Sequence, residues 1–192
     1  MLTVGLAMLQ GARNEHMHAI LKAAAYLNLE IEIRELRKSS DVAGIDALIL
    51  PGGESTAMKI ASRSEELYSG IWENVRNTNI PVLGTCAGAI LLSQNGLINA
   101  EIERNAFGRQ RESFQSDIEV NLEEISTFQG VFIRAPRFTD GSGNAIAWLG
   151  DEVVGILERK IMALTFHPEL TDDFRFHLWL LNEALSRTEH DQ

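Results

Sequence analysis

One cysteine, four prolines and seventeen basic residues against twenty-seven acidic ones set the first limits on this 192-residue chain. A single cysteine cannot close an internal disulfide, so a reducing, cytoplasmic compartment is expected. The formal net charge of −10, with no cluster of Lys and Arg, excludes the basic footprint that nucleic-acid binding needs. A small polar substrate or a protein partner fits better. No apolar run reaches the roughly 20 residues that span a bilayer; the most apolar stretch, residues 80–92, is broken by Pro81, Gly84, Thr85 and Gly88. The opening MLTVGLAMLQG carries no positive leader and reads as a first strand. With 45% hydrophobic residues and no internal repeat or low-complexity linker, residues 1–192 are expected to form a single domain around one core.

Strand and helix patterns alternate through the first half. Residues 3–9 form a fully apolar run, and Met17, Ile20, Leu21 and Ala24 then recur at helical spacing. Leu29, Ile31 and Ile33 alternate with Glu30 and Glu32 at strand period two, and residues 47–50 make a buried strand stopped by Pro51. A helix is expected after Pro51-Gly52-Gly53-Glu54-Ser55, and residues 81–84 form the strand that delivers Cys86. This order predicts an α/β fold with a mainly parallel central sheet flanked by helices, of flavodoxin-like type. In the second half the apolar runs at 131–133, 145–149, 153–157 and 161–165 predict additional short strands and hairpins. Thr171 followed by Asp172 and Asp173 predicts a helix start, with Phe174, Leu178, Leu181 and Leu185 as the buried face and residues 188–192 as a polar, frayed tail.

Chemistry concentrates at three places. Cys86 sits in Gly84-Thr85-Cys86-Ala87-Gly88, a GxCxG turn between a strand and a helix. It matches the elbow in which a sharp turn lifts a nucleophile from the sheet, with glycines where side chains would collide. The helix that follows points its amide N–H groups at the sulfur and favours the thiolate. The ordinary role of a lone cysteine is a small buried hydrophobe; the glycine pair and the preceding strand argue against it here. His167 follows a strand, Pro168 forces it toward extended backbone, and Glu169 is placed to hold its second ring nitrogen. Such a histidine supplies the base and acid that a cysteine nucleophile needs. His16, His18, His177 and His190 are read as solvated or locally satisfied residues. Consecutive glycines at 52 and 53 let backbone N–H groups converge on developing negative charge, so Gly53 and Ala87 are the candidate oxyanion hole.

Seven segments carry a resemblance: LQG at residues 9–11, EHMHAI at 15–20, LPGGEST at 50–56, GTCAG at 84–88, ERNAFGRQ at 103–110, FIRAP at 132–136 and TFHPELT at 165–171. With them the chain resembles the glutaminase-subunit family of pyridoxal 5′-phosphate synthases, within the class I (triad) glutamine amidotransferases, from its first strand to its last helix. The resemblance implies hydrolysis of L-glutamine to L-glutamate and ammonia through a glutamyl thioester. The ammonia would pass to a separate synthase subunit that builds vitamin B6, so pyridoxal phosphate is a product of the complex and no cofactor or metal is expected in this chain. Carried over by motif, Cys86 is the nucleophile, His167 the acid and base and Glu169 its orienting carboxylate. Gly53, Glu54, Ser55, Arg104, Ile133 and Arg134 would bind substrate, with Gln10 in a supporting role. A guanidinium suits the α-carboxylate of glutamine because it binds it as a fork. Residues 93–99 make a shorter connection than many relatives have, and Ala89 stands where relatives carry a larger apolar residue. Two other readings remain open: a cysteine hydrolase or peptidase on a similar scaffold, and a non-catalytic subunit that only binds a partner.

Overall fold

The computed structural model describes residues 1–7, 12–52, 57–104, 113–140 and 144–190. In chain order β1 (Leu2–Ala7), α1 (Arg13–Tyr26), β2 (Ile31–Leu36), a 3-10 turn (Ser39–Val42), β3 (Ala47–Leu50), α2 (Ala57–Thr78), β4 (Val82–Thr85) and α3 (Ala87–Gln94) build the first half. Strands β5 (Ile102–Glu103), β6 (Ser113–Asn121), β7 (Ile125–Ile133), β8 (Arg137–Phe138), β9 (Ala145–Leu149), β10 (Glu152–Glu158) and β11 (Ile161–Leu164) follow, and a 3-10 turn (Pro168–Leu170) leads into α4 (Arg175–His190).

The described strands form a nine-stranded sheet in the order β2-β1-β3-β4-β11-β10-β9-β6-β7 and a two-stranded pairing of β5 with β8. The first five are mutually parallel, with β11 returning from the end of the chain to lie beside β4. The other four add on antiparallel. Every residue of β1, β3 and β4 is buried, as strands covered on both faces must be. Leu2, Val4, Leu6, Ile49 and Leu83 pack with Ile20 and Ala23 of α1 and with Leu180, Leu181 and Ala184 of α4. Leu48, Leu50 and Val82 pack on the opposite face with Leu67, Ile71 and Val75 of α2 and with Ala89 and Leu92 of α3. Each fully buried leucine or isoleucine contributes roughly 1.5–3 kcal/mol of apolar transfer energy. Those two layers therefore fix where the strand ends stand.

Three details differ from the sequence reading. The segment before residue 131 contains a long hairpin in which β6 and β7 pair from Ser113↔Ile133 to Asn121↔Ile125. Gln115, Asp117 and Glu119 leave one face of β6 exposed while Ile118 and Val120 are buried, so the strand has no continuous apolar run to announce it. The buried stripe of α1 is His16, Ala19, Ile20, Ala23 and Ala24, rotated from the expected one, and Leu21 is exposed. At α4 the first helical N–H, that of Arg175, donates to Asp173 Oδ1 at 3.0 Å, a role the sequence suggested for Thr171. Its buried face is Phe176, His177, Leu180, Leu181 and Ala184, and the helix continues through His190.

Gly88 gives a direct test of the layer between β3 and α3. A Cβ there would run into the carbonyl of Leu50, part of a buried strand that cannot yield. Glycine to alanine inside a helix ordinarily stabilises by about 1 kcal/mol. Gly88→Ala is expected to destabilise by about 1–3 kcal/mol through overpacking, seen as a lower midpoint in chemical denaturation; a raised midpoint would contradict this packing.

Candidate active site

Strands β3, β4 and β11 lie side by side, and their carboxyl ends deliver Pro51-Gly52, Cys86 and His167 to one edge of the sheet. Cys86 follows β4 directly and caps α3. Its N–H donates to the Leu164 carbonyl at 2.8 Å, and its own carbonyl accepts from Ile90 N–H at 3.3 Å. Its backbone is bent to φ 47° and ψ −106°, a sparsely populated conformation that costs about 1–3 kcal/mol. The burial of Leu83 and Leu92 on either side of the elbow is worth at least as much, so the turn is held against its strain. Gly84 is required for the same reason: a Cβ would lie 2.5 Å from Leu92 Cδ1 and 3.1 Å from the Gly88 carbonyl carbon.

His167 stands three residues beyond β11, tied by its N–H to the Val131 carbonyl at 2.8 Å. Phe166 beneath it is fully buried between Phe132 and Phe176, at ring separations of 5.8 and 5.5 Å. Pro168 opens the 3-10 turn that brings Glu169 back toward the ring, and His167 Nδ1 lies 2.7 Å from Glu169 Oε1. A carboxylate accepts only, so Nδ1 carries the proton of this bond. The Cys86 side chain lies against the same ring across Gly52. His167 and Cys86 press on the same face of Gly52: a Cβ at that position would meet His167 Cε1 at 2.6 Å and Cys86 Cβ at 2.9 Å. Only glycine fits between them. Cys86, His167 and Glu169 are all buried, at 7, 6 and 5% relative exposure, so their mutual contacts are little screened by solvent.

The Ile133 carbonyl lies 4.0 Å from Cys86 Sγ. Arg134 follows it, exposed and with φ 42°, and the chain then enters β8, which Arg137 fixes to β10 through a two-pronged bond to Glu152 at 2.6 and 2.5 Å. Pairing of β5 with β8, Glu103 opposite Arg137, carries half-buried Arg104 to the same stretch of chain. Ala87 is the first residue of α3, where N–H groups have no intrahelical acceptor. Gln10, Gly53, Glu54 and Ser55 lie outside the described residues, as do residues 105–110 of ERNAFGRQ.

Residues 6–186 match the model of the SNO glutamine amidotransferase family. The chain belongs to that family. Among relatives of this amidotransferase, a pyridoxal 5′-phosphate synthase subunit PdxT of Thermus thermophilus is 42% identical over 94% of the chain and 97% of its own length. The subunit of the same name from Thermococcus onnurineus is 39% identical over 96% and 100%. A crystal structure of a glutamine amidotransferase, 40% identical, superposes with a TM-score of 0.79 over 94% of this chain and 98% of the other. PurLQS from Thermotoga maritima, 14% identical over 97% and 99%, shares the fold at a TM-score of 0.73.

In this amidotransferase the sequence reading passed over two histidines. His16 and His177 are fully buried and stand behind the Glu169 carboxylate, where they were expected to be ordinary solvated or satisfied residues. A signal was present in the pattern: His16 precedes Ile20 by four residues and His177 precedes Leu181 by four, which places each on an apolar helix face. Thr85 was also passed over; its Oγ1 accepts from Gly52 N–H at 3.1 Å and so anchors the entry to the glycine turn.

Burial alone would push the His167 imidazole down, but the neighbouring Cys86 sulfur and Glu169 carboxylate outweigh it and raise its pKa to about 10. His167 is therefore a cation at neutral pH, paired with the sulfur on one side and the carboxylate on the other. The folded chain holds this proton more tightly than a free imidazole of pKa 6.5, so the stabilisation is complete below about pH 6.5 and is lost as pH rises through about 10. An NMR titration of the full chain is expected to show His167 protonated through neutral pH, and Cys86→Ala is expected to shift its transition downward. Titration near 6.5 in both proteins would contradict this electrostatic picture.

Proposed function

We propose that this chain hydrolyses L-glutamine to L-glutamate and ammonia and passes the ammonia to a synthase partner that makes pyridoxal 5′-phosphate. The observation that carries the reading is the convergence of Cys86, His167 and Glu169 at one sheet edge. It is supported by the family match and by relatives bearing the name of a pyridoxal 5′-phosphate synthase subunit.

The Cys86 thiolate attacks the side-chain amide carbon, forming a C–S bond while the carbonyl oxygen takes up negative charge. The N–H of Ala87 at the start of α3, with that of Gly53, stabilises this oxyanion. The His167 imidazolium gives its proton to the amide nitrogen, the C–N bond breaks and ammonia leaves a glutamyl thioester. Neutral His167 then takes a proton from water, hydroxide adds to the thioester, and the C–S bond breaks to return the thiolate and release glutamate. Throughout, Glu169 holds the ring so that one nitrogen always faces sulfur or substrate. Arg104 and Arg134 bind the α-carboxylate, Ile133 faces the sulfur through its carbonyl, and Gly53, Glu54 and Ser55 complete the substrate site with Gln10 beside them. Docking of the synthase orders the two-glycine turn, whose peptides reorient at little steric cost.

Cys86→Ala is expected to cut ammonia release from glutamine by about a thousandfold or more, measured with the synthase subunit present and with the fold verified by circular dichroism. Release at the wild-type rate would refute the reading. Ammonia release by the wild-type chain is expected to rise when the synthase is added; equal turnover with and without it would refute the dependence on docking.

A further inference from the structure

Two buried imidazoles sit behind the triad, and the cycle above gives them no role. His16 Nδ1 lies 2.9 Å from His177 Nε2, and His16 Nε2 lies 3.1 Å from Thr85 Oγ1. The same Nε2 approaches Glu169 Oε2 at 3.4 Å, close enough for charge–dipole attraction though not aligned as a full hydrogen bond. Oε2 itself is buried, and among the described residues it has no hydrogen-bond partner. One oxygen of Glu169 is thus fixed by His167, and the other faces His16.

The protons in this array can be assigned. Burial drives the pKa of His16 well below 6.5, helped by the neighbouring His177 and His167. Burial drives that of His177 down to about 3. Both rings are neutral, so each has one N–H and one bare nitrogen. A bare Nε2 on His16 would turn its lone pair toward an acceptor-only carboxylate, so the proton belongs on Nε2. His16 Nδ1 is then an acceptor, and the hydrogen on it comes from His177 Nε2. This leaves His177 Nδ1 bare, and it is the ring nitrogen with no partner among the described residues. The opposite direction of the chain would bury an orphan N–H there and aim a lone pair at Glu169.

We infer that His16 and His177 are positioning residues of the reaction: His177 Nε2–H fixes the tautomer of His16, and His16 Nε2–H fixes the second oxygen of Glu169, so that its first oxygen stays on His167. This rests on the function proposed above. α1 and α4 thereby take part in the chemistry through Glu169, without touching substrate. Thr85 joins the array to the glycine turn, since its Oγ1 faces both His16 Nε2 and the Gly52 N–H. On the outer side, Glu15, His18 and Lys22 of α1 line a cleft with Asp172 that reaches Glu169, and Lys22 pairs with Asp172 at 2.8 Å.

The test has two arms on the full-length chain. In the wild type, nitrogen-15 NMR of labelled histidine is expected to show His16 and His177 neutral at pH 7, both as the Nε2–H tautomer. A proton on Nδ1 of His16 would overturn the inference without any variant. In the second arm, assayed with the synthase subunit, His16→Leu removes the donor and His16→Gln retains an N–H near the Nε2 position. His16→Leu is expected to lower kcat about ten- to a hundredfold with KM for glutamine nearly unchanged, and to move the alkaline limb of the pH profile to lower pH. His16→Gln is expected to recover most of the rate and the wild-type limb. Wild-type kcat and pH profile in His16→Leu, or equal losses in both variants with the limb unmoved, would overturn the inference. Should His16→Leu not fold, His16→Gln and the tautomer measurement decide. Cys86→Ala serves as the control that separates the two levels: if it releases ammonia like the wild type, the proposed function fails; if it is inactive while His16→Leu is normal, only the relay fails.

Discussion

The parallel pairing of β11 with β4 is the constraint on which the site depends. Leu164 lies opposite Thr85, and the next N–H, that of Cys86, closes on the Leu164 carbonyl. About eighty residues separate the two strands in sequence, and the antiparallel strands β6, β7, β9 and β10 between them form one continuous extension of the same sheet. That extension returns the chain to the edge of the parallel part, which is the middle of the nine-stranded sheet. A slip of one residue between β4 and β11 would move the buried leucines to the wrong face, so the apolar layers fix the register and the register fixes the distance from sulfur to imidazole.

Around that pairing the polar groups form a graded series from solvent inward. Cys86 and His167 meet across Gly52 at the sheet edge, Glu169 holds the imidazole from behind, and His16, His177 and Thr85 fill the space between α1, α4 and β4 with neutral donors and acceptors. Burial has opposite consequences along the series. It keeps His16 and His177 neutral, whereas at His167 the adjacent sulfur and carboxylate overcome it. A low-dielectric setting strengthens both effects. The strained backbone at Cys86 and the glycine contacts at 52, 84 and 88 belong to the same logic, since each lets the chain approach more closely than a side chain would allow.

Much of this was legible in the sequence because it depends on local signals. The run at residues 47–50 gave β3 to the residue, the GTCAG glycines marked the elbow, and the His-Pro-Glu spacing placed a carboxylate two residues from the ring. The rest depends on partners remote in the chain. The β6–β7 hairpin has one polar face, so its strands lack an apolar run, and only pairing reveals them. His16 and His177 lie 161 positions apart; each looks like an isolated polar residue on an apolar helix stripe until α1 and α4 pack together. The start of α4 shifted because Asp173 and Thr171 are both competent caps, and the 3-10 turn through Glu169 uses Thr171 to close itself, its hydroxyl donating to the Pro168 carbonyl.

That Cys86 and His167 act as one acid–base unit is tested most directly by covalent trapping. A diazoketone or chloroketone analogue of glutamine, with the rate of modification followed by mass spectrometry, is expected to label Cys86 in the wild-type chain at neutral pH. It is expected to do so far more slowly when His167→Asn removes the cation beside the sulfur. Equal rates in the two proteins, or label on any residue other than Cys86, would contradict the pairing.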